Sequence, residues 1–204
     1  MEADRRADAY AKALAQVTIG APTPLAGRIE LHEYDPSWPR VYEREEARIR
    51  AALGDRVVRL EHVGSTSVPG LAAKPVVDVA LEVANSAAEA AYVPELEAAG
   101  YRLRIREPDW YEHRLLKGPD GGVNLHVFSA GCEEVEAMLL FRDRLRSNAA
   151  DREHYAAAKR ELATRDWAYV QQYADAKTAV VREILARARA SRRREERSPA
   201  LGGG

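Results

Sequence analysis

Residues 61–83 read EHVGSTSVPGLAAKPVVDVALEV, and this stretch predicts the centre of the fold. An apolar run ending at Val63 meets a small polar turn, Gly64-Ser65-Thr66, and a second apolar run follows a Pro-Gly turn and a Lys-Pro step. The second run carries a single acid, Asp78. We interpret the stretch as two strands around a turn, a layout often found where proteins hold phosphates and metal ions.

Outward from this stretch, hydrophobic periodicity and turn residues predict a chain that mixes helices with strands. The predicted elements are a helix over residues 3–16, a strand over 28–34, a helix over 37–53, strands over 56–63 and 75–83, a helix over 87–99, strands over 101–106, 110–117 and 123–128, and three helices between 133 and 189. The turn at residues 118–122, GPDGG, is typical of a hairpin because Asp-Gly and Gly-Gly tolerate positive φ. This order predicts an α+β (mixed α/β) fold with about five strands, packed helices and a C-terminal helical bundle.

The chain is expected to divide into three segments. Residues 1–27 form an N-terminal helix and a Pro/Gly-rich linker, and residues 28–190 form the main domain. Residues 191–204 are basic and then Gly-rich, a composition typical of a solvated, disordered tail.

Composition excludes several classes of protein. Charged residues make up 31% of the chain, but the formal net charge is −1, so no overall basic field favours nucleic acid as a partner. A single cysteine, Cys132, excludes an internal disulfide framework and is typical of a reducing compartment. No apolar run approaches the roughly 18 residues that a membrane-spanning helix needs. We therefore expect a cytoplasmic protein, with C-terminal helices that could pair between chains in a homo-oligomer.

Three separated regions resemble the GrpB family. They are YDPSWPRVYEREEARIRAAL at residues 34–53, HVGSTSVPGLAAKPVVDVALEV at 62–83, and LLKGPDGGVNLHVF at 115–128 followed by FRDRLRSN at 141–148. The resemblance covers roughly residues 29–189. It implies a nucleotidyltransferase-like fold of the superfamily that includes DNA polymerase beta. The same domain occurs fused to dephospho-CoA kinase in some bacteria.

The resemblance also implies a chemistry. In that superfamily a Gly-Ser turn approaches a triphosphate, and carboxylates on the following strand hold Mg²⁺, which bridges the phosphates. Here Gly64 and Ser65 match the turn, and Asp78 matches one metal-binding carboxylate. The expected cofactor is therefore Mg²⁺, and the expected substrate is ATP or another nucleoside triphosphate.

The chain departs from the superfamily pattern at two places. A second acid usually stands two residues after the first, and that position is Ala80. Glu82 shares a face with Asp78 but lies about 13 Å along an extended strand, too far to share one ion. Where a neighbouring strand normally offers a third carboxylate, this chain has Asn124 and His126, and GrpB relatives often have His-Leu-His there. Two-metal catalysis is therefore not expected.

What remains is a set of polar residues with assigned roles. We predict Asp78, His126 and Lys74 as catalytic residues, with His126 as a general base or supporting ligand and Asp78 as the metal ligand. The predicted ligand-binding residues are Gly64, Ser65, Thr66, Lys74, Arg114 and Lys117, with Asn124 beside them. The hairpin would place residues such as Arg114 and His126 near each other, although register decides the face that each occupies.

Each of these residues also has a structural interpretation. The Gly-Ser-Thr turn could be an ordinary turn, and Asp78 could form a buried salt bridge with Lys74 or Arg114. His126 could be a hydrogen-bonded core histidine.

Three functions remain open from the sequence. The first is transfer of a nucleotidyl group from a nucleoside triphosphate to a small acceptor. The second is a nucleotide- or CoA-binding module that has lost catalysis, which Ala80 favours. The third is ATP-dependent ligation of an acid and an amine in the same pocket.

Overall fold

The computed structural model describes residues 2–197 and contains a five-stranded sheet with helices packed on it. The α+β prediction is therefore confirmed. The helices are α1 (Glu2–Val17), α2 (Trp38–Leu53), α3 (Val93–Ala98), α4 (Glu133–Ser147), α5 (Ala149–Ala163), α6 (Val170–Ala176) and α7 (Thr178–Arg197). The strands are β1 (Arg59–Val63), β2 (Val77–Val83), β3 (Arg102–Glu107), β4 (His113–Lys117) and β5 (Val123–Ser129).

The sheet has the strand order β1-β2-β5-β4-β3. The central pair, β2 and β5, is parallel, and every other neighbouring pair is antiparallel. The parallel pair is possible because α3, β3 and β4 lie between β2 and β5 in the sequence and give the chain room to cross over.

The two faces of the sheet are covered by different helices. One face carries buried residues such as Val79, Leu81 and Leu125, which pack against Ile49 of α2 and Leu96 of α3. This alternation follows from the period of two along a strand, which sends successive side chains to opposite faces. The opposite face carries Asp78, and α4 covers only part of it.

The C-terminal helices α4, α5, α6 and α7 pack against one another beside the sheet, as predicted for a C-terminal bundle. Leu145 of α4, Tyr155 of α5 and Ile184 of α7 share one buried cluster with Val68 and Leu71. The last two residues belong to the connection between β1 and β2, so the bundle packs directly on the segment that carries the Gly-Ser-Thr turn.

Two N-terminal and central predictions need correction. Residues 28–34 do not form a strand, and their pairing is limited to a single bridge between His32 and Ala73. Pro75 lacks a backbone N–H, so the ladder does not extend past that bridge. The helix predicted over 87–99 is shorter and begins at Val93, because Pro94 suits the first turn of a helix and not its interior.

The C-terminal region contains four helices where three were predicted. The additional break separates α6 from α7 at Lys177, whose N–H bonds back to Ala174 and Asp175. The tail predicted over 191–204 begins inside α7, which continues to Arg197, and residues 198–204 lie outside the described part. Within residues 2–197, no helix is both long and apolar enough to cross a membrane.

Candidate functional site

The turn after β1 brings main chain against the Asp78 carboxylate. Gly64 has φ +69° and ψ −171°, a combination that side-chain-bearing residues avoid, and a short 3₁₀ turn over Ser65–Ser67 follows. The Ser67 hydroxyl donates to the Gly64 carbonyl at 2.6 Å and closes the turn. Thr66 is buried and its hydroxyl lies 3.0 Å from the His62 ring, so it supports the turn from the core side.

Strand register places three predicted residues in one row across the sheet. Asp78 on β2 is directly opposite Asn124 on β5, which is directly opposite Lys117 on β4. The Asn124 amide nitrogen donates to Asp78 Oδ1 at 2.7 Å, and the Lys117 ammonium donates to the Asn124 amide oxygen at 2.5 Å. This amide orientation satisfies both neighbours, because the carboxylate only accepts and the ammonium only donates.

His126 occupies the next row and extends the polar array in the other direction. Its Nε2 lies 3.6 Å from Asp78 Oδ1, and its Nδ1 lies 3.1 Å from Nε2 of His113. His113 Nδ1 in turn lies 2.7 Å from Glu107 Oε2. The array Glu107–His113–His126–Asp78 therefore runs from the edge of the sheet to its centre.

The two histidines of this array share its protons with the two carboxylates at its ends. The array has three contacts, Glu107–His113, His113–His126 and His126–Asp78. Two neutral imidazoles carry only two N–H groups, so one of the three contacts lacks a donor unless one ring is an imidazolium. Burial, opposed by the hydrogen bond to Glu107, lowers the pKa of His113 to about 4, which keeps that ring neutral. His126, with 19% of its side chain exposed beside Asp78, is the ring of the pair that an entering ligand can reach.

Asp78 itself is partly open to solvent, with 29% of its side chain exposed. Burial alone would raise its pKa, but the interactions with His126 and Asn124 and the charge of Lys177 outweigh burial and lower it. Asp78 is therefore ionised at neutral pH. The expected alternative of a salt bridge to Lys74 or Arg114 is not what the described residues show, since its partners are Asn124 and His126.

The charge of this carboxylate acts on Lys74, Lys117 and Lys177, and a fourth lysine, Lys159, contacts Ser65 of the adjoining turn. We call these four residues the lysine cluster. Lys159 donates to Ser65 Oγ at 3.2 Å and to the Ala72 carbonyl. The ammonium groups of Lys74 and Lys177 both lie over the ring of Tyr173, at 5.8 and 4.8 Å from its centroid.

The lysine cluster carries more positive charge than its surroundings neutralise. Burial, followed by the charge of Lys177, lowers the pKa of Lys74 to about 8 and that of Lys159 to about 7. Burial also lowers the pKa of Lys117 and of Lys177, and Asp78 opposes the shift in both. Buried ammonium groups that repel one another around one carboxylate form a site for an anion.

The structure brings together most of the predicted residues and adds others. Ser65, Lys74, Lys117, Asp78, Asn124 and His126 form one site, with Gly64 against it. His113, Lys159 and Lys177 were missed by sequence reasoning. Lys159 lies 94 positions from Ser65 in the chain, and no local motif links the two. The hairpin could have revealed His113, because β4 and β5 pair around the GPDGG turn with Leu115 opposite His126, which puts His113 and His126 on the same face.

Arg114 is not brought to the site. It lies opposite Val127, whereas His126 is opposite Leu115, so Arg114 points to the other face of the sheet. Its Nε donates to Glu89 at 2.6 Å, and the side chain is buried. The register of the hairpin thus corrects the expectation that Arg114 and His126 lie near each other.

The donor set does not fit a resident magnesium ion. Ala80, at the position of a second acid, is 1% exposed and is buried with Val135 and Leu139 of α4. Glu82 instead accepts hydrogen bonds from the N–H groups of Gly131 and Cys132 at the start of α4. Residues 2–197 contain no group of three or more His, Cys, Asp or Glu arranged to hold a metal ion. Asp78 alone, surrounded by ammonium groups, is a poor cage for Mg²⁺.

Comparisons with known proteins give the same family as the sequence motifs. The model of the family described as GrpB protein matches residues 28–187. A UPF0157 protein of Halalkalibacterium halodurans is 56% identical over 178 residues, which is 87% of this chain and 91% of that protein. A UPF0157 protein of Streptomyces coelicolor is 47% identical over 175 residues, covering 86% of this chain and 91% of that protein.

A more distant relative and a solved structure complete the comparison. A protein of Mycolicibacterium paratuberculosis named dephospho-CoA kinase is 33% identical over 180 residues, which cover 76% of this chain but 44% of that protein. The crystal structure of conserved protein GrpB from Enterococcus faecalis matches with a TM-score of 0.69 and 31% identity, covering 78% of this chain and 96% of that one. The family match spans the sheet, the turn and the bundle, and the chain belongs to the GrpB family.

Proposed function

We propose that this protein binds a nucleoside triphosphate with its phosphates against the lysine cluster and transfers the nucleotidyl group to a small acceptor. The observation that carries the proposal is the placement of Lys74, Lys117 and Lys177 near the ionised Asp78 carboxylate, with Lys159 on Ser65 of the adjoining turn. A polyphosphate supplies enough negative charge to relieve the mutual repulsion of the lysines, which a single carboxylate does not.

The array of Asp78 and His126 supports the chemical step. An acceptor hydroxyl bound beside Asp78 would lose its proton to this array while its oxygen attacks the α-phosphorus, and pyrophosphate would leave. The lysines would stabilise the charge that develops on the phosphate oxygens. Because the donor set does not fit a resident Mg²⁺, no step is assigned to one, and the fixed ammonium groups provide the positive charge.

An aromatic pair beside the array suits the base of the nucleotide. Trp110 and Tyr111 are 38% and 46% exposed, and the Trp110 ring lies 5.0 Å from the His113 ring. Tyr111 and the next residue, Glu112, both have positive φ, at 54° and 50°. Backbone strain of this kind is often kept where a loop must present a side chain to a ligand. Exposed aromatic rings stack on nucleobases without selecting one base.

A second function, a nucleotide- or CoA-binding module without catalysis, is favoured by one observation. The position that carries the second metal-binding acid in an active polymerase-like site is Ala80 here, and α4 packs over this position. ATP-dependent ligation of an acid and an amine would use the same lysines, with the Asp78–His126 array as the base for the amine.

Nucleotide binding is tested by thermal shift with ATP, GTP, CTP, UTP and coenzyme A, each with Mg²⁺ or with a chelator. A ligand at a hundredfold excess over its Kd should raise the Tm by about 5–10 °C. The shift should persist with the chelator and be lost in Lys74→Gln and Lys117→Gln, but not in Lys12→Gln on the exposed surface of α1. If no nucleotide shifts the Tm, or Lys74→Gln responds like the unmodified protein, the proposal is wrong.

Catalysis is tested separately by pyrophosphate release in the presence of a pool of small alcohols, amines and acids. Asp78→Ala should keep nucleotide binding and lose pyrophosphate release. Binding without release from any acceptor would favour the binding module over the transferase.

A further inference from the structure

A second cavity, unconnected with the proposed reaction, lies at the β1 edge of the sheet between α2 and the α4–α5 pair. Its volume is about 850 Å³, within the roughly 300–1,000 Å³ typical of small-molecule sites. Its lining includes Tyr34, Tyr42, His62, Arg142, Arg146 and Arg152, and we call it the arginine cavity.

Three guanidinium groups line one wall, and they differ in how they are neutralised. Arg142 is paired with Glu61 at 2.8 Å and with Asp143 at 2.7 Å. Arg146 instead donates twice to the Ser67 carbonyl, at 2.9 and 2.8 Å, and lies 3.7 Å from Asp143.

Arg152 is the least neutralised of the three. The hydrogen bonds found for it in the described part of the chain go to main-chain carbonyls, those of Leu145 and Arg146. Carbonyl oxygens satisfy some donors of a guanidinium but leave its full charge uncompensated, so this wall retains positive charge. Glu43 and Glu46 line the α2 side, where Glu46 is already paired with Arg50 at 2.9 Å.

Flat rings line the same space. Tyr42 and His62 stack with their centroids 5.0 Å apart and an angle of 7° between their planes. Burial, followed by the charges of Arg146 and Arg142, lowers the pKa of His62 to about 4, so this ring stays uncharged at neutral pH. The cavity therefore combines an uncharged aromatic surface with two guanidinium groups that can still bind an anion.

We propose that the arginine cavity is a second ligand site, which binds a small molecule with a phosphate or carboxylate group on a planar ring. The anionic group lies against Arg146 and Arg152, and the ring lies against the stacked Tyr42 and His62. The site is distinct from the lysine cluster, although the same 3₁₀ turn borders both. Arg146 of the arginine cavity donates to the Ser67 carbonyl, whereas Lys159 of the lysine cluster donates to the Ser65 hydroxyl.

Isothermal titration with phenyl phosphate, inorganic phosphate and phenol tests this site on the full chain. Phenyl phosphate should bind more tightly than either fragment. Arg152→Gln should weaken phenyl phosphate binding by about tenfold or more, the loss expected for a hydrogen bond to a charged group. Arg160→Gln is the matched control. Arg160 is an exposed arginine on the same helix as Arg152, and it pairs with Glu153. The control should bind like the unmodified protein.

A second variant and the lysine variants make the result decisive. Arg146→Lys keeps the charge but loses the planar fork, and it should also weaken binding if the protein remains folded by circular dichroism. If Arg152→Gln and Arg146→Lys both bind with unchanged affinity, or if no phenyl phosphate binds at all, the inference is wrong. It is equally wrong if Lys74→Gln or Lys117→Gln alone abolishes binding, since the ligand then occupies the lysine cluster.

Discussion

The Asp78 carboxylate packs against the α-carbon of Gly64. A β-carbon added at Gly64 would stand 3.0 Å from the Asp78 β-carbon and closer still to Oδ2, a distance that real side chains do not reach. Two requirements therefore meet at this glycine: a positive φ and space for the carboxylate of the next strand. The turn and Asp78 form one unit and not two separate motifs.

The first prediction follows from this contact. Gly64→Ala should lower the free energy of unfolding by about 2–4 kcal/mol, because backbone strain and overpacking each contribute about 1–3 kcal/mol. Urea denaturation measures the change. Gly70→Ala is the control, since Gly70 also has positive φ, at +75°, but has nothing within 4 Å of its added β-carbon. Equal losses in the two variants would show that the contact with Asp78 carries no cost.

The two acids of β2 should separate into different roles. Glu82→Ala should cost about 2 kcal/mol of stability, because it removes the charged acceptor of the N–H groups of Gly131 and Cys132 at the start of α4. Nucleotide affinity should stay unchanged. Asp78→Ala should cost less stability, keep nucleotide binding and lose pyrophosphate release. Denaturation and titration of both variants check the pair, and a Glu82→Ala protein that is folded yet fails to bind would contradict the assignment.

Restoring a carboxylate on β5 should create a metal site. Asn124→Asp places two carboxylates on directly opposite residues of neighbouring strands, where they repel each other unless a cation lies between them. We expect about 10 mM MgCl₂ to raise the Tm of Asn124→Asp by a few degrees, the shift for a site whose Kd is about a tenth of that concentration. The unmodified protein and Asn85→Asp, an exposed control, should not respond. An equal response in the unmodified protein would show that Asp78 already holds Mg²⁺.

The buried lysines should make stability depend on pH. The pKa of Lys159 is lowered to about 7 in the folded state, against about 10.4 in an unfolded chain. Between these values the unfolded state binds more protons, so the free energy of unfolding rises with pH and levels off above the unfolded value. Lys159→Met should reduce this slope by at most about 1.4 kcal/mol per pH unit between pH 7.5 and 9.5.

The slope should fall in Lys159→Met without vanishing. Lys74, whose pKa is lowered to about 8, contributes in the same direction. Urea denaturation at four pH values measures the slope, with Lys12→Met as the control on the surface of α1. A slope that Lys159→Met leaves intact would mean that the pKa of Lys159 is not lowered, so that the residue keeps its proton in the folded protein across this pH range.

Much of the fold follows from local pattern. The apolar runs around Asp78 and His126 predict β2 and β5, and the GPDGG turn predicts the hairpin between β4 and β5. Residues 28–34 are an exception, since their alternation predicts a strand but Pro75 stops the ladder at one bridge. Pairing between chains through the C-terminal helices stays a prediction.

The site was predicted in part for the same reasons. Ser65, Lys74 and Asp78 lie in one short stretch, and the hairpin carries Lys117 and His126, so local pattern could identify them. The face on which Arg114 lies depends on register, because a shift of one residue moves every side chain of a strand to the opposite face. Its neighbour Leu115, not Arg114, is opposite His126.

The sequence by itself determined the elements, the family and the carboxylate at the centre of the site, because period, turn residues and motif order are local properties. The tertiary structure decided what surrounds that carboxylate. Lys159 and Lys177 come from the C-terminal helices, and α4 covers Ala80. Contacts between residues far apart in the chain depend on how helices pack on the sheet, so the lysines near Asp78 and the burial of Ala80 are visible only in the folded protein.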